Sequence, residues 1–174
     1  LRHPMAASRL EQLATGSFQC VIGDDTAAER ADRVTRLLLC SGKVSADLAG
    51  SPLRAEAANV ALARVEELYP FPRQELGALV ASFPALREVV WVQEEPKNMG
   101  AWTYMEPRLR DLLGELPLRY EGRPERASPA EGSADRHTQE QARIAQAAWT
   151  GAPEPAQNPA ERRARGDTLI SKRK

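Results

Sequence analysis

Residues 34–43 read VTRLLLCSGK, and this stretch decides the fold class. Residues 34–40 are apolar apart from one threonine and one arginine, which is typical of a strand buried on both faces of a sheet. Residues 43–48 follow with the apolar spacing of a helix, and Ser41 and Gly42 form the turn between the two. A buried strand that leads into a helix is the repeating unit of parallel α/β sheets.

The same alternation continues along the chain. Further strands are predicted at 18–22, 60–65, 87–93 and 117–120, and helices at 73–81 and 101–113, the second with a kink at Pro107. Ser51 and Pro52 open another helical segment. A last helix is predicted to begin near Thr138, because Thr138 and Gln141 have the spacing of a capping box. The sequence therefore predicts an α/β domain with a mostly parallel sheet and helices on both faces.

Charge and hydropathy exclude several classes of protein. The 174 residues hold 24 Lys+Arg and 24 Asp+Glu, so the net charge is zero. Non-specific binding to nucleic acid or to an anionic membrane needs a basic excess, so neither partner is expected. No apolar run approaches the roughly 18 to 20 residues that cross a bilayer, and the opening residues lack the apolar core of a secretory signal. A cytoplasmic protein is expected.

Composition divides the chain near Ala148. Residues 1–147 are predicted to form one α/β domain, and residues 148–174, rich in Pro, Ala and charge, a disordered tail. The tail has a net charge of +3, and it is either an interaction tail or solvated charge. Cys20 and Cys40 lie in apolar stretches, which favours buried thiols over a disulfide, and no zinc-like spacing joins them to the two histidines.

Three segments at strand ends are candidate sites, because ligands of α/β sheets gather there. Residues 40–43 offer Lys43 to an anion or form only a tight turn. Residues 66–72 are predicted either to dock a ligand or to pack their aromatic rings into the core. Residues 93–102 form a polar loop that ends in a tryptophan, either a contact surface or a solvated loop with a tryptophan in the core. The interface candidates in this loop are Gln93, Glu94, Glu95, Asn98 and Trp102. Residues alone predict no catalytic, cofactor-binding or metal-binding residue.

Several segments together resemble, in order and spacing, one known domain. They are LRHPMAAS (1–8), VTRLLLCSGKVSADL (34–48), VALARVEELYPFP (60–72), VVWVQEEPKNMGAW (89–102), EPRLRDLL (106–113), LRYEGRPERASPAEGS (118–133) and HTQEQ (137–141). This set resembles the carboxyl-terminal domain of the thiamine-diphosphate-dependent, decarboxylating component of the 2-oxoglutarate dehydrogenase complex. The resemblance implies a transketolase-type carboxyl-terminal domain, a three-layer fold whose mixed, mostly parallel sheet is flanked by helices.

The resemblance also implies a function for the longer protein. That enzyme of the tricarboxylic acid cycle is an oxidoreductase that decarboxylates 2-oxoglutarate and passes the succinyl group to a lipoyl acceptor. Its thiamine diphosphate and magnesium lie between two preceding domains, whose GDG-type motif and glutamate this sequence lacks, so neither is expected to bind here. The fragment is expected to be inactive alone and to serve dimerisation and assembly. The implied partners are a second copy of the full chain, the succinyltransferase and the dihydrolipoyl dehydrogenase.

Two points stay open from the sequence. The chain starts at Leu1 without an initiator methionine, which fits a fragment, but a stand-alone truncated ligand-binding or regulatory module is the alternative. In some relatives the resemblance places an acetyl-CoA regulatory site beside this domain. Arg2, Lys43 and Arg64 are the basic residues in matching motifs that could meet such an anion.

Overall fold

A five-stranded sheet organises the chain in the computed structural model, which describes residues 7, 8 and 10–151. The strands are β1 (Val21–Ile22), β2 (Arg36–Cys40), β3 (Val60–Val65), β4 (Glu88–Pro96) and β5 (Leu118–Arg123). The helices are α1 (Leu10–Ala14), α2 (Asp25–Ala28), α3 (Val44–Ala49), α4 (Arg73–Ala81), α5 (Trp102–Leu113) and α6 (Ala134–Thr150). Two short 3-10 helices span Ala31–Arg33 and Pro52–Ala55.

The sheet is mixed and mostly parallel. Its order is β1-β3-β2-β4-β5, in which β2, β3, β4 and β5 run parallel and only β1 pairs antiparallel, with β3. Such parallel strands need crossover connections, which the intervening helices supply. The carboxyl ends of β2, β4 and β5 therefore meet at one edge of the sheet.

Two apolar cores lie on the two faces of the sheet. Because side chains alternate along a strand, Leu37 and Leu39 of β2 face one side while Leu38 and Cys40 face the other. The first side packs against α4 and α5, and the second against α3 and α6. This three-layer arrangement confirms the predicted fold class and explains why β2 is apolar at consecutive positions.

Several predicted elements differ from the structure in their bounds. The strand predicted at 18–22 forms ladder pairs only at Val21 and Ile22. Strand β4 continues three residues past 93, to Pro96, and α5 runs through Pro107 as one helix. Helix α6 begins at Ala134, and the Thr138 hydroxyl donates to the Ala134 carbonyl inside it, so the predicted start near Thr138 was wrong.

The boundary of the domain also moves. Helix α6 ends at Thr150, and the Trp149 side chain is only 2% exposed in the core between α6 and the sheet. Ala148 and Trp149, which composition assigned to the tail, therefore belong to the packed domain. Residues 152–174 lie outside the described residues, as does Arg2. Among the described helices, none combines the length and apolar character needed to cross a membrane.

Candidate functional site

The carboxyl edge of the sheet carries most of the predicted site residues. Strand β4 extends past the end of its neighbour β2, because the last pair between them joins Cys40 to Val92. Residues 93–96 therefore project beyond the end of β2. At the end of this projecting segment, Pro96 pairs with Arg123, and the register of the ladder between β4 and β5 shifts before this pair. The turn after β4, the turn after β2 and the loop after β5 are thereby brought together at this edge.

Gln93 holds the projecting turn from inside the domain. Its side chain is buried, and its Oε1 accepts hydrogen bonds of 3.0 Å from the Trp91 indole N–H and from the Trp102 backbone N–H. Its Nε2 donates to the carbonyls of Glu95, Pro96 and Met99, at 3.3, 3.2 and 2.8 Å. A buried amide that is hydrogen-bonded in this way positions a loop. Gln93 thus lies inside the domain, and its interface role stays a prediction in which it shapes the turn.

Trp102 is also an internal residue. Its side chain is 3% exposed at the first position of α5, and its ring centroid lies 5.1 Å from that of Tyr120. The Tyr120 hydroxyl lies 3.0 Å from the carbonyl oxygens of both Glu95 and Arg123, and burial raises the pKa of this phenol. Trp102 thus anchors α5 to β5. Its burial agrees with the alternative prediction, in which this tryptophan belongs to the core.

Glu94 joins the turns after β4 and β2 to α6. Its carboxylate lies 3.2 Å from the Lys43 ammonium and accepts a 2.6 Å hydrogen bond from Gln141. Lys43 also pairs with Asp47 one helical turn on. Burial lowers the pKa of Lys43, but the hydrogen bonds with Asp47 and Glu94 outweigh burial and leave the pKa above its usual value. Lys43 is therefore a paired cation at this edge.

Asn98 joins the turn after β4 to the loop after β5. Its amide donates to the Arg126 carbonyl at 2.9 Å and accepts from the Arg126 N–H at 3.1 Å. Glu95 and Asn98 are exposed, so of the five predicted interface residues these two are the most available for contact. Asn98 and Arg126 are 28 residues apart in the sequence, and no local sequence pattern predicts that they pair.

A buried ion cluster that sequence reasoning missed fixes the loop after β5. Arg123 and Glu131 have side chains 4% and 3% exposed, with Nε and Oε1 3.3 Å apart. Arg126 donates to the other oxygen of Glu131 at 2.6 Å. The second guanidinium nitrogen of Arg123 lies 3.0 Å from Nδ1 of His137, and its first donates to the Pro129 carbonyl. The only sequence signal for this cluster is the RPERASPAEGS motif itself.

Arg64 lines an open cleft to which Lys43 does not contribute. It pairs with Glu66 at 2.6 Å and lines an open cleft of about 750 Å³ together with Ser45, Arg54 and Asp24. Lys43 is not among the residues of that cleft. The structure therefore does not bring these two predicted regulator contacts into one pocket.

The described residues offer little reactive chemistry. Burial raises the pKa of Cys40 to about 12, and the hydrogen bond from Cys20 to Glu67, 2.6 Å long, raises the pKa of that thiol, so both stay protonated at neutral pH. Residues 7, 8 and 10–151 contain no group of three or more His, Cys, Asp or Glu that could hold a metal ion. The carboxyl edge is a set of polar loops locked by paired charges.

The mixed five-stranded sheet, the helices on both faces and the polar carboxyl edge define an α/β domain of the transketolase carboxyl-terminal type. The chain belongs to the 2-oxoglutarate dehydrogenase C-terminal family, whose model matches residues 7–149. This match confirms the resemblance drawn from the motifs.

Bacterial 2-oxoglutarate dehydrogenase E1 components are among the relatives that this chain is similar to. The relative from Geobacillus sp. (strain WCH70) is 47% identical over 152 residues, which is 86% of this chain and 16% of that protein. Those from Exiguobacterium sp. (strain ATCC BAA-1283 / AT1b) and Bacillus subtilis (strain 168) are 47% and 43% identical over 147 residues, or 83% of this chain and 16% of each protein. The chain thus spans about a sixth of the length of the curated relatives it matches.

Proposed function

We propose that this chain is the carboxyl-terminal domain of a longer 2-oxoglutarate dehydrogenase component. The longer protein oxidatively decarboxylates 2-oxoglutarate with thiamine diphosphate and magnesium and transfers the succinyl group to a lipoyl acceptor in the cytoplasm. The observation that carries the proposal is the family match over residues 7–149, combined with coverage of only 16% of each relative.

The domain is catalytically inert by itself in this proposal. Its described residues do not fit a magnesium-bound diphosphate, because Asp24, Glu94 and Glu131 are each paired with an arginine or lysine. The GDG motif that would hold such a group is also missing from the 174 residues. The cofactor and its catalytic residues therefore belong to the rest of the longer chain.

The role of the domain is assembly. The exposed residues Glu95 and Asn98 stand on a turn that Gln93 and Asn98 itself hold rigid, which suits a surface that must keep its shape in a complex. The partners in this proposal are a second copy of the full chain, the succinyltransferase and the dihydrolipoyl dehydrogenase.

The size of the native protein tests the first part of the proposal. The tryptic peptide EVVWVQEEPK, residues 88–97, identifies the chain in its natural source, and intact-mass analysis then sizes it. We expect a chain several times heavier than 19.1 kDa. A native product of about 19 kDa would contradict the proposal.

Exchange of domains tests the second part. In a chimera, residues 7–149 of this chain replace the matched region of the Geobacillus relative, and decarboxylation of 2-oxoglutarate is followed with an artificial electron acceptor. We expect an active chimera, an inactive 174-residue chain under the same conditions, and an inactive relative when its matched region is deleted. Decarboxylation by the 174-residue chain alone would overturn the assignment.

One observation favours the alternative of a stand-alone ligand-binding or regulatory module. The open cleft of about 750 Å³ is large enough for a small ligand, and it is lined by Arg54 and Arg64, which pair with Asp24 and Glu66 of the same cleft. Calorimetric titration of the 174-residue chain with acetyl-CoA tests it, with Arg64→Gln as the variant. Binding that depends on Arg64, in a native product of 19 kDa, would favour the module.

A further inference from the structure

The loop after β5 spans residues 124–133, PERASPAEGS, and connects that strand to α6. Alanine and proline are the only apolar residues in it, and most of its residues are exposed. Within the part of the chain that the structure describes, neither apolar core includes a side chain from this loop. Segments with few buried apolar contacts open locally while the rest of a domain stays folded. Polar contacts therefore decide whether this loop lies closed on the domain.

Glu131 makes the main polar contact between the loop and the strand before it. Its side chain is 3% exposed, and its Oε1 lies 3.3 Å from Nε of Arg123, a β5 residue whose side chain is 4% exposed. Its Oε2 accepts a 2.6 Å hydrogen bond from Arg126. Oε1 and the Arg123 Nε form no aligned hydrogen bond with each other, and attraction between buried charges compensates for lost hydration only where the geometry is good. Opening the loop returns these charges to water, which offsets the attraction that is lost.

Arg126 joins the loop to the turn after β4. Its guanidinium donates to Glu131, while its backbone carbonyl accepts from the Asn98 side-chain nitrogen at 2.9 Å and its N–H donates to the Asn98 side-chain oxygen at 3.1 Å. The closed loop thus engages both ends of the Asn98 amide. The turn itself does not depend on the loop, because Gln93 holds its carbonyls from inside the domain, including that of Met99 at 2.8 Å. Displacement of the loop therefore frees the Asn98 amide and leaves the turn in place.

We propose that residues 124–133 open and close as one unit on a folded domain, and that Glu131 holds them closed. The consequence of opening rests on the proposed function: it makes the Asn98 amide available to a partner in the assembly. The partner group that fits is a backbone peptide group, because the closed loop satisfies Asn98 with the N–H and carbonyl of Arg126. A partner that binds only the open form shifts the loop towards that form.

The order of the loop in the 174-residue chain tests the proposal. The test variant is Glu131→Gln, which keeps the size of the side chain and removes its charge. The matched control is Glu140→Gln, the same change at a residue of α6 that pairs with Arg143 at 3.2 Å. Backbone order parameters from nitrogen relaxation should fall below about 0.6 for residues 125–132 in the test variant and stay near about 0.85 in the control and the native sequence. Residues of β2 and β4 should keep their values in all three chains.

Hydrogen exchange shows whether the native loop opens by itself. The Arg126 N–H, which donates to Asn98, should exchange about 100-fold faster than the amides of β2 and with little dependence on urea, because local opening exposes little surface. Arg126→Gln removes one of the two cations on Glu131 and should also lower the order of residues 125–132, even if Glu131→Gln does not fold. A loop that stays ordered in both variants, or that in Arg126→Gln loses order only together with β2 and β4, would overturn the proposal.

These measurements separate the opening of the loop from the proposed function. An Arg126 N–H that exchanges at the rate of the β2 amides, with the same dependence on urea, would overturn the opening and leave the proposed function standing. Decarboxylation of 2-oxoglutarate by the 174-residue chain alone would overturn the proposed function, and with it the consequence for assembly, but not the opening of the loop.

Discussion

At the scale of single residues, Gln93 shows how one polar side chain can determine the shape of a surface it does not reach. All its hydrogen bonds end inside the domain, on two tryptophans and three carbonyls. The adjacent residue Glu94 points the other way and pairs with Lys43 and Gln141, as alternation along a strand requires. One residue therefore stabilises the turn, and its neighbour ties the turn to α3 and α6.

Replacing Gln93 by leucine should destabilise the domain strongly. The change keeps the volume but leaves the Trp91 and Trp102 N–H groups buried without an acceptor, at about 1 to 3 kcal/mol each. We expect the free energy of unfolding, measured by urea denaturation, to fall by about 2 to 4 kcal/mol. Glu95→Gln on the exposed side of the turn is the control and should change it by less than about 0.5 kcal/mol. Equal effects of the two substitutions would contradict the role assigned to Gln93.

Cys40 should make the stability of the domain depend on alkaline pH. Burial raises its pKa from 9.0 to about 12, so above pH 9 the unfolded chain releases a proton that the folded chain keeps. Its contribution to stability is complete below pH 9 and decreases as the pH rises toward 12, by about 1.4 kcal/mol per pH unit.

The measurement compares the native sequence with Cys40→Ala at pH 8 and pH 10.5. Between these values the native sequence should lose about 2 kcal/mol more free energy of unfolding than the variant. Other groups that titrate in this range, such as Lys43 and Tyr120, are present in both chains and cancel. If the free energies of unfolding of the two chains changed equally with pH, the Cys40 thiol would not have the pKa that its burial implies.

At the scale of elements, the carboxyl-terminal end of α6 is held by a residue of β2 that lies 112 positions before Ala148 in the sequence. The Arg36 guanidinium of β2 donates to the carbonyls of Ala148 and Trp149, at 3.5 and 3.4 Å, while its Nε pairs with Glu88 at 2.6 Å. A cation at the last carbonyls of a helix is favourable for both hydrogen bonding and the helix dipole. Gly151 closes the helix with φ +71°, and a Cβ there would overlap the Arg36 guanidinium.

Two glycines with the same φ of +71° separate these effects. Gly132→Ala has open space around its new methyl group. It should therefore lower the free energy of unfolding only by the cost of an alanine in the left-handed conformation, about 1 to 2 kcal/mol. Gly151→Ala adds the overlap with Arg36 and should cost at least about 1 kcal/mol more. Thermal unfolding of both variants measures the difference, and combining Gly151→Ala with Arg36→Ala should reduce it. Identical melting temperatures for the two glycine variants would argue against the Arg36 cap.

The sequence predicts elements well where the local pattern is unambiguous. Strand β3 and helix α4 have the bounds that the patterns at 60–65 and 73–81 predict. The start of α6 was missed because Thr138 and Gln141 have the spacing of a cap, whereas a threonine hydroxyl inside a helix bonds the carbonyl four residues back equally well. Local spacing cannot separate these two uses of the same side chain.

At the scale of the whole molecule, the site depended on pairings between distant parts of the chain. The residue types at 93–102 predict a polar loop, and they leave open whether it is a contact surface or a solvated loop. What those residues do is set by partners 28 or 47 positions away, as for Asn98 with Arg126 and Glu94 with Gln141. Composition likewise placed the domain boundary at Ala148, because one tryptophan in a segment rich in Pro, Ala and charge does not reveal that its side chain is buried in the core beside the sheet.

Truncation tests that boundary. A chain ending at Gly151 keeps the whole of α6, whereas one ending at Ala147 loses the buried Trp149 ring and the two carbonyls that Arg36 binds. Removing a buried tryptophan side chain costs about 3 to 5 kcal/mol, so urea denaturation should show the shorter chain to be less stable by at least that range. The chain ending at 151 should match the 174-residue chain, because residues 152–174 hold too few apolar side chains to add a core. Equal stability of the chains ending at 147 and 151 would mean that α6 does not extend the domain to Thr150.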